Sequence, residues 1–116
     1  MVTAAQITKL ALAMPDVVQK AHFEQPDFRV GGKIFADLSR DGKRATLKLT
    51  PVLQQAVMDS SPSVFSPAPG AWGRAGWTFV VLAHAKRVEL AHLLAESWRL
   101  VAPKGLVAAA VAAKRI

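Results

Sequence analysis

The residues best suited to contact a ligand lie in one short segment rich in proline, glycine and tryptophan. Residues 67–77 read Pro-Ala-Pro-Gly-Ala-Trp-Gly-Arg-Ala-Gly-Trp, without an acidic side chain. Proline and glycine punctuate the segment throughout, which predicts a structured loop rather than a helix or strand. In such a loop Trp72 can stack on a base while Arg74 neutralises a phosphate. The alternative is structural, with Trp77 opening a core strand and Trp72 fixing the loop to the sheet.

A predicted hairpin gathers further cations on one face of a sheet. The dipeptide Asp41-Gly42 predicts a two-residue type I′ turn with Arg40 opposite Lys43. That register places apolar pairs on the core face: Ile34 with Leu49, Ala36 with Leu47, and Leu38 with Ala45. The pairs on the other face are Ser39 with Arg44, Asp37 with Thr46, and Phe35 with Lys48. The candidate nucleic-acid contacts are on the other face and the preceding strand: Arg29, Lys33, Phe35, Arg44 and Lys48. The alternative is a solvated face on which Asp37 pairs with these cations.

One helical segment carries residue types that bind metals. Glu89, His92 and Glu96 share a face of a predicted helix. Di-iron carboxylate sites use Glu-x-x-His motifs, but they need two such helices and further glutamates. Surface pairing with Arg99 explains the series adequately, and we therefore expect no metal.

Nothing else in the sequence suggests reaction chemistry. His22 and His84 are isolated from a recognisable triad, and we expect His22 to be a half-buried strand residue. The glycines lack the spacing of a phosphate-binding loop. The absence of cysteine excludes thiolate nucleophiles, thiolate zinc sites and disulfides. We expect a protein that is not an enzyme and has no cofactor.

The charge distribution favours a polyanionic partner. The formal net charge is +7, with 15 Lys and Arg against 8 Asp and Glu. No acid occurs between Ser60 and Val88, and only cations follow Glu96. Such an excess favours DNA or RNA through counterion release and steering. The alternative is that the charge serves solubility alone.

The predicted secondary structure begins and ends with a helix. Thr3 and Gln6 form a capping box for a first helix that Pro15 ends. Thr50-Pro51 starts a short helix, and residues 86–102 form a long one. Its apolar face includes Leu90, Leu94, Trp98 and Val101. The expected buried stripe of the short helix is Leu53, Ala56 and Val57.

Between the helices lie short alternating runs typical of strands. Residues 17–23 and 28–30 are candidate strands, and Gly31-Gly32 predicts a hairpin turn into residues 33–38. Residues 63–76 show no period and are expected to form a long loop. Residues 77–83 are apolar on both faces, which predicts a central strand. The order predicts an α+β fold, a mostly antiparallel sheet with helices on one face.

Length and composition suit one domain. The chain has 116 residues, of which 52% are hydrophobic and 20% charged, as expected for a globular fold. The N-terminal residues do not resemble a signal peptide, and the apolar stretch from Leu106 to Ala113 is too short to span a bilayer. We expect a cytoplasmic protein that does not bind membranes. Residues 1–104 are the predicted domain, and residues 105–116 an Ala-rich C-terminal tail.

Four segments in order resemble the MmcQ/YjbR family of small bacterial proteins. The resemblance runs from about Leu10 to Lys104 and rests on these residues: Phe28-Arg-Val with Gly32-Lys-Ile-Phe, Leu47-Lys-Leu, Pro69-Gly-Ala-Trp-Gly-Arg with Gly76-Trp-Thr, and Ser97-Trp-Arg-Leu-Val-Ala-Pro-Lys104. It implies a frataxin/CyaY-like fold, a "double wing" arrangement and DNA binding. It does not imply iron binding, because the first helix has no carboxylate before Asp16.

The combined expectation is a small binding protein. DNA or RNA would be held mainly through phosphates by the basic sheet face and the Trp72–Arg74 loop, with little sequence preference because no recognition helix is evident. The alternative is a protein-interaction module that uses the same loop as an aromatic patch.

Overall fold

The computed structural model describes residues 1–115 as one α+β unit. Its strands are β1 (Val18–His22), β2 (Gln25–Val30), β3 (Lys33–Leu38), β4 (Arg44–Lys48), β5 (Phe65–Pro67) and β6 (Trp77–Val81). Its α-helices are α1 (Ala4–Leu12), α2 (Pro51–Ser60), α3 (Gly70–Arg74), α4 (Arg87–Val101) and α5 (Lys104–Ala112). A single 3₁₀ turn at Leu82–His84 connects β6 to α4 within this range.

The strands form one open antiparallel sheet, which confirms the predicted fold class. The spatial order is β1-β2-β3-β4-β6-β5, and each neighbouring pair is antiparallel. Strand β6 therefore lies in the sheet interior, as its apolar sequence predicted. Helix α4 covers one face through Leu90, Leu94 and Trp98, each no more than 1% exposed. The Trp98 indole also donates to the carbonyl of Pro15, across the end of α1.

The predicted helix starts are confirmed by their caps. The Thr3 hydroxyl accepts from the backbone N–H of Gln6, and the Gln6 side chain accepts from that of Thr3. The Thr50 hydroxyl accepts from Leu53 N–H. Each cap satisfies N–H groups that the first helical turn leaves without partners. The expected stripe of α2 is wrong at one position, because Ala56 is exposed and Gln54 is buried instead.

The turn at Asp41-Gly42 is not the predicted two-residue type I′ turn. Of the two residues only Gly42 has a positive φ, of 71°. Its N–H donates to the Ser39 carbonyl, while the Asp41 carboxylate accepts from the Ser39 hydroxyl and Lys43 N–H. These bonds close a longer turn. Three predicted pairs are confirmed, Ala36 with Leu47, Asp37 with Thr46, and Leu38 with Ala45. The predicted pair of Ile34 with Leu49 is not part of the β3–β4 register.

The placement of Phe35 on the basic face is wrong. Phe35 is fully buried, and the β2–β3 register skips it, passing from Phe28–Ala36 to Arg29–Ile34. The extra residue is a β-bulge, which interrupts the strict alternation of side chains. As a result Phe35 enters the core, and Ile34 lies beside Asp37 in the lining of a cavity on the opposite face.

Residues 63–76 are more regular than the expected loop. They contain the short strand β5 and the helix α3. The buried Gln54 side chain fixes α3 to the sheet, because its Nε2 lies within 3.2 Å of the Gly73 and Trp77 carbonyls and the Thr78 hydroxyl. A side-chain amide supplied by α2 therefore orders a segment whose own sequence shows no period.

The predicted Ala-rich tail is helical along most of its length. Helix α5 packs Leu106, Val107 and Ala110 against the core, and the last tail residue, Ile116, lies outside the described residues. None of the helices within residues 1–115 combines the length and the apolar character that a membrane crossing requires.

Candidate functional site

The sheet has an open face, which we define as the face opposite the α4 core. On β4, Ala45 and Leu47 are fully buried in the core, so the alternating residues Arg44, Thr46 and Lys48 lie on the open face. Cross-strand pairing places Thr46 opposite Phe79 and Lys48 opposite Trp77 of β6. Cations, a hydroxyl and two aromatic rings therefore share adjoining strands.

Two adjoining cavities occupy the open face, and α3 overhangs both. The first, of about 230 Å³, is lined by Ile34 and Trp77 together with His22, Asp37, Thr46 and Trp72. The second, of about 200 Å³, shares those last four residues and adds chiefly Arg44, Pro69 and Phe79. We call the first of them the indole cavity, because both Trp72 and Trp77 line it. The Trp72 side chain is 71% exposed.

The backbone of α3 and its flanks allows no larger residues at two glycines. A Cβ on Gly73 would overlap the carbonyl oxygen of Ala68. A Cβ on Gly76, whose φ is +109°, would overlap the carbonyl oxygen of Leu49. Glycine is required at Gly76 for both reasons, since that φ strains any L side chain. These close approaches hold α3 against the sheet and so set the position of Trp72.

A buried carboxylate organises the β1–β2 side of the open face. Asp27 is fully buried and accepts from Arg29 Nε at 2.7 Å and Arg29 Nη2 at 3.0 Å. Its second oxygen lies 2.9 Å from His22 Nδ1. The hydrogen bonds from Arg29 lower the pKa of Asp27 in spite of its burial. The Arg29 guanidinium is thus largely committed to an internal ion pair.

Asp37 is the second carboxylate of this face and has a different environment. It lies opposite Asp27 on β3, and its side chain is 19% exposed. Burial raises the pKa of Asp37, and a side-chain hydrogen bond with its cross-strand neighbour Thr46 opposes that shift. His22 Nε2 lies 3.8 Å from its carboxylate, beyond hydrogen-bonding distance. Asp37 therefore retains acceptor capacity toward the cavities.

Each aromatic ring of β6 carries a cation. The Arg44 guanidinium lies 4.0 Å from the Phe79 ring centroid. Lys48 Nζ lies 5.4 Å from the Trp77 ring and donates to the Ala75 carbonyl at 2.9 Å. Both distances are within the range of cation–π attraction. These contacts hold two positive charges at the margin of the cavities.

The structure brings together only part of the predicted surface. Arg29, Arg44, Lys48 and Trp72 lie on or over the open face. Arg74 instead lines a separate groove with Gln54 and Met58. Lys33 lies at the junction of α4 and α5, in a groove with Arg99 and Lys104. Phe35 lies in the core, so the seven predicted contacts do not form one patch.

Sequence reasoning missed the polar floor of the cavities. His22 reaches Asp27 across the β1–β2 hairpin, whose turn residues Phe23 and Glu24 have positive φ values of 49° and 67°. Neither residue signals such a turn, which is usually made by Gly, Asn or Asp. The Arg40 guanidinium, from another hairpin, binds the Phe23 carbonyl. The predicted β3–β4 register pairs Asp37 with Thr46, and this pair is confirmed. Their shared position on one face of the sheet was the sequence signal that could have placed them together in the site.

The fold has a similar solved structure. The crystal structure of the Deinococcus radiodurans protein DR2400, a DUF419 domain, matches with a TM-score of 0.79 and 24% identity, covering 90% of this chain and 82% of that one. At this identity the likeness shows the fold alone. A search of curated proteins finds no match. The family model YjbR matches residues 12–100. This match spans most of the domain and confirms the predicted relationship: the chain belongs to the YjbR family.

Proposed function

We propose that this protein binds single-stranded DNA or RNA on the open face, as a binding protein and not as an enzyme. The observation that carries the proposal is the position of Trp72. A large aromatic side chain that is 71% exposed stands over a cavity lined by a second indole. Exposed aromatic rings beside a basic groove are how proteins stack the bases of single strands.

The cations of the open face are suited to phosphates. Arg44 and Lys48 lie on the same strand, at either side of Thr46, and each is held against an aromatic ring. A base stacked on Trp72 would place its backbone within reach of this margin. The net charge of +7 adds a long-range attraction that would speed encounter with a polyanion.

The dimensions favour a single strand over a duplex. A cavity of about 230 Å³ accepts one base, which is accessible only when it is unpaired and turned out of a stack. Binding through phosphates and stacking would discriminate weakly among most sequences.

The surroundings of His22 favour binding over catalysis. Its Nδ1 forms a hydrogen bond with Asp27, as the histidine of a catalytic triad also does, but its Nε2 faces the Asp37 carboxylate rather than a nucleophile. Within residues 1–115, no hydroxyl or amine forms a hydrogen bond with this imidazole, as a Ser-His or Thr-His pair would require.

The test is fluorescence anisotropy with single-stranded DNA and RNA oligonucleotides at ~50 and ~200 mM salt. The two phosphate contacts assigned to Arg44 and Lys48 predict a roughly 7-fold loss of affinity over that range, from a slope of about −0.7 per contact. Arg44→Ala/Lys48→Ala should reduce the slope by about 1.4.

The matched control is Arg99→Ala/Lys104→Ala, which removes the same charge from two exposed residues of the helical layer. It should leave the slope nearly unchanged. If this control weakens binding more than the open-face variant does, the binding surface is the α4–α5 groove and the assignment to the open face is wrong. Absence of binding at ~50 mM salt overturns the proposal and favours a protein partner.

A further inference from the structure

We infer that the indole cavity is a guanine subsite in which Asp37 accepts hydrogen bonds from the N1–H and N2–H groups of the base. This inference rests on the proposed function and adds base selectivity to it. The remaining contacts of the strand would stay insensitive to sequence.

The walls of the cavity suit a flat aromatic ring. Trp72 and Trp77 both line it, together with the aliphatic side chain of Ile34. Within residues 1–115 the two indoles form no ring–ring pair with each other. Stacking alone accepts any base, because every base has a π-face. Selectivity must therefore come from the polar side of the cavity.

That polar side is dominated by one carboxylate with acceptor capacity. Asp27 is already occupied by Arg29 and His22. Asp37 lines the cavity directly. Its carboxylate has the Thr46 side chain as a hydrogen-bond partner, which leaves further lone pairs free, and His22 Nε2 is 3.8 Å away. An ionised carboxylate only accepts hydrogen bonds, and its two oxygens can receive two parallel donors.

Among the bases, guanine alone matches this pair of acceptors. Its Watson–Crick edge presents two adjacent donors, N1–H and the 2-amino group. Adenine and cytosine place a bare ring nitrogen beside their amino group, and its lone pair would face a carboxylate oxygen. Uracil and thymine offer one N–H between two carbonyls. Leaving a buried acceptor opposite another acceptor costs affinity, which is how polar sites reject near-isosteres.

The test compares oligothymidine strands that carry one central guanine, hypoxanthine or adenine. Hypoxanthine differs from guanine only by lacking the 2-amino group, so it isolates one hydrogen bond. We expect the guanine strand to bind roughly tenfold more tightly than the hypoxanthine strand, the value of one charge-assisted hydrogen bond. The adenine strand should bind no better than the hypoxanthine strand, because its N1 lone pair faces the carboxylate. This comparison uses the unaltered protein and does not depend on a variant folding.

Asp37→Asn should reduce the guanine preference to less than about threefold, because an amide replaces one acceptor by a donor. Asp59→Asn is the matched control, since it removes an exposed carboxylate from the end of α2, and it should keep the full preference.

The outcomes separate the two proposals. If no strand binds, the proposed function fails and the subsite fails with it. If all strands bind equally well, strand binding stands and the guanine subsite is wrong. A guanine preference that survives in Asp37→Asn also overturns the assignment, because another group must then read the base.

Discussion

Replacing Trp72 by alanine separates base stacking from folding. Trp72 is 71% exposed, and the contacts that fix helix α3 to the rest of the protein are made mainly by its other residues. Gly73 packs on Ala68, and its carbonyl accepts from the buried Gln54 amide. Truncation should therefore leave the fold intact, with a change in unfolding free energy of no more than about 1 kcal/mol.

The expected loss of affinity follows from the energy of a stacked base. Removing one aromatic platform costs about 1–3 kcal/mol, and 1.4 kcal/mol corresponds to about tenfold in the dissociation constant. Trp72→Ala should therefore weaken binding of a single-stranded oligonucleotide about 5- to 150-fold. Trp72→Phe keeps a ring over the cavity and should lose less than about fivefold.

Anisotropy at ~50 mM salt measures the affinity, and thermal unfolding of each variant measures the stability. Tryptophan fluorescence gives a second readout, because stacking should quench Trp72 while the fully buried Trp98 is unaffected. If Trp72→Ala is folded and binds as tightly as the unaltered chain, the indole is not a stacking platform and the reasoning is refuted. Equal losses in the alanine and phenylalanine variants would also contradict stacking.

Two further predictions concern stability. Gly76→Ala should lower the unfolding free energy by about 2–6 kcal/mol, because the new side chain would be strained at this φ and would overlap the Leu49 carbonyl. Gly105→Ala is the control, since nothing lies within 4 Å of its added Cβ, and it should be neutral or slightly stabilising. Thermal unfolding of both variants measures the difference. Asp27→Asn should cost about 1–3 kcal/mol at pH 7 by weakening the bonds from Arg29 and His22. Since the folded pKa of Asp27 is lowered, its contribution to stability is present above the ordinary aspartate pKa of 3.8 and is lost as pH falls through the folded pKa. Denaturation at pH 7 and near pH 2 should show the difference shrinking at acid pH, and a constant difference would contradict the ionised pair.

Much of the fold was predictable because it depends on local signals. The Thr3–Gln6 capping box, the Thr50 cap and the period of α4 each act within a few residues of sequence. The interior position of β6 also follows locally, from a run that is apolar on both faces. The pairing of Asp37 with Thr46 follows from the length of the turn between β3 and β4. It is correct although the predicted type of that turn is wrong.

The site was less predictable because its residues meet through non-local contacts. A bulge at Phe35 reverses the faces of Phe35 and Ile34, and nothing in the strand sequence marks it. The order of residues 63–76 depends on Gln54, a polar residue outside the expected buried stripe of α2. The contact between His22 and Asp27 depends on a hairpin turn that Arg40 supports from elsewhere in the chain.

The α+β class, the family and the aromatic, basic segment around Trp72 and Arg74 can be derived from the amino-acid sequence, because caps, periodicity and composition are short-range properties. Which of these side chains share a surface is known only from the folded chain. The fold separates Arg74 and Lys33 from the open face, buries Phe35, and brings Trp72 and Asp37 to one cavity. Side-chain direction depends on register, bulges and packing between distant segments, which local patterns do not encode.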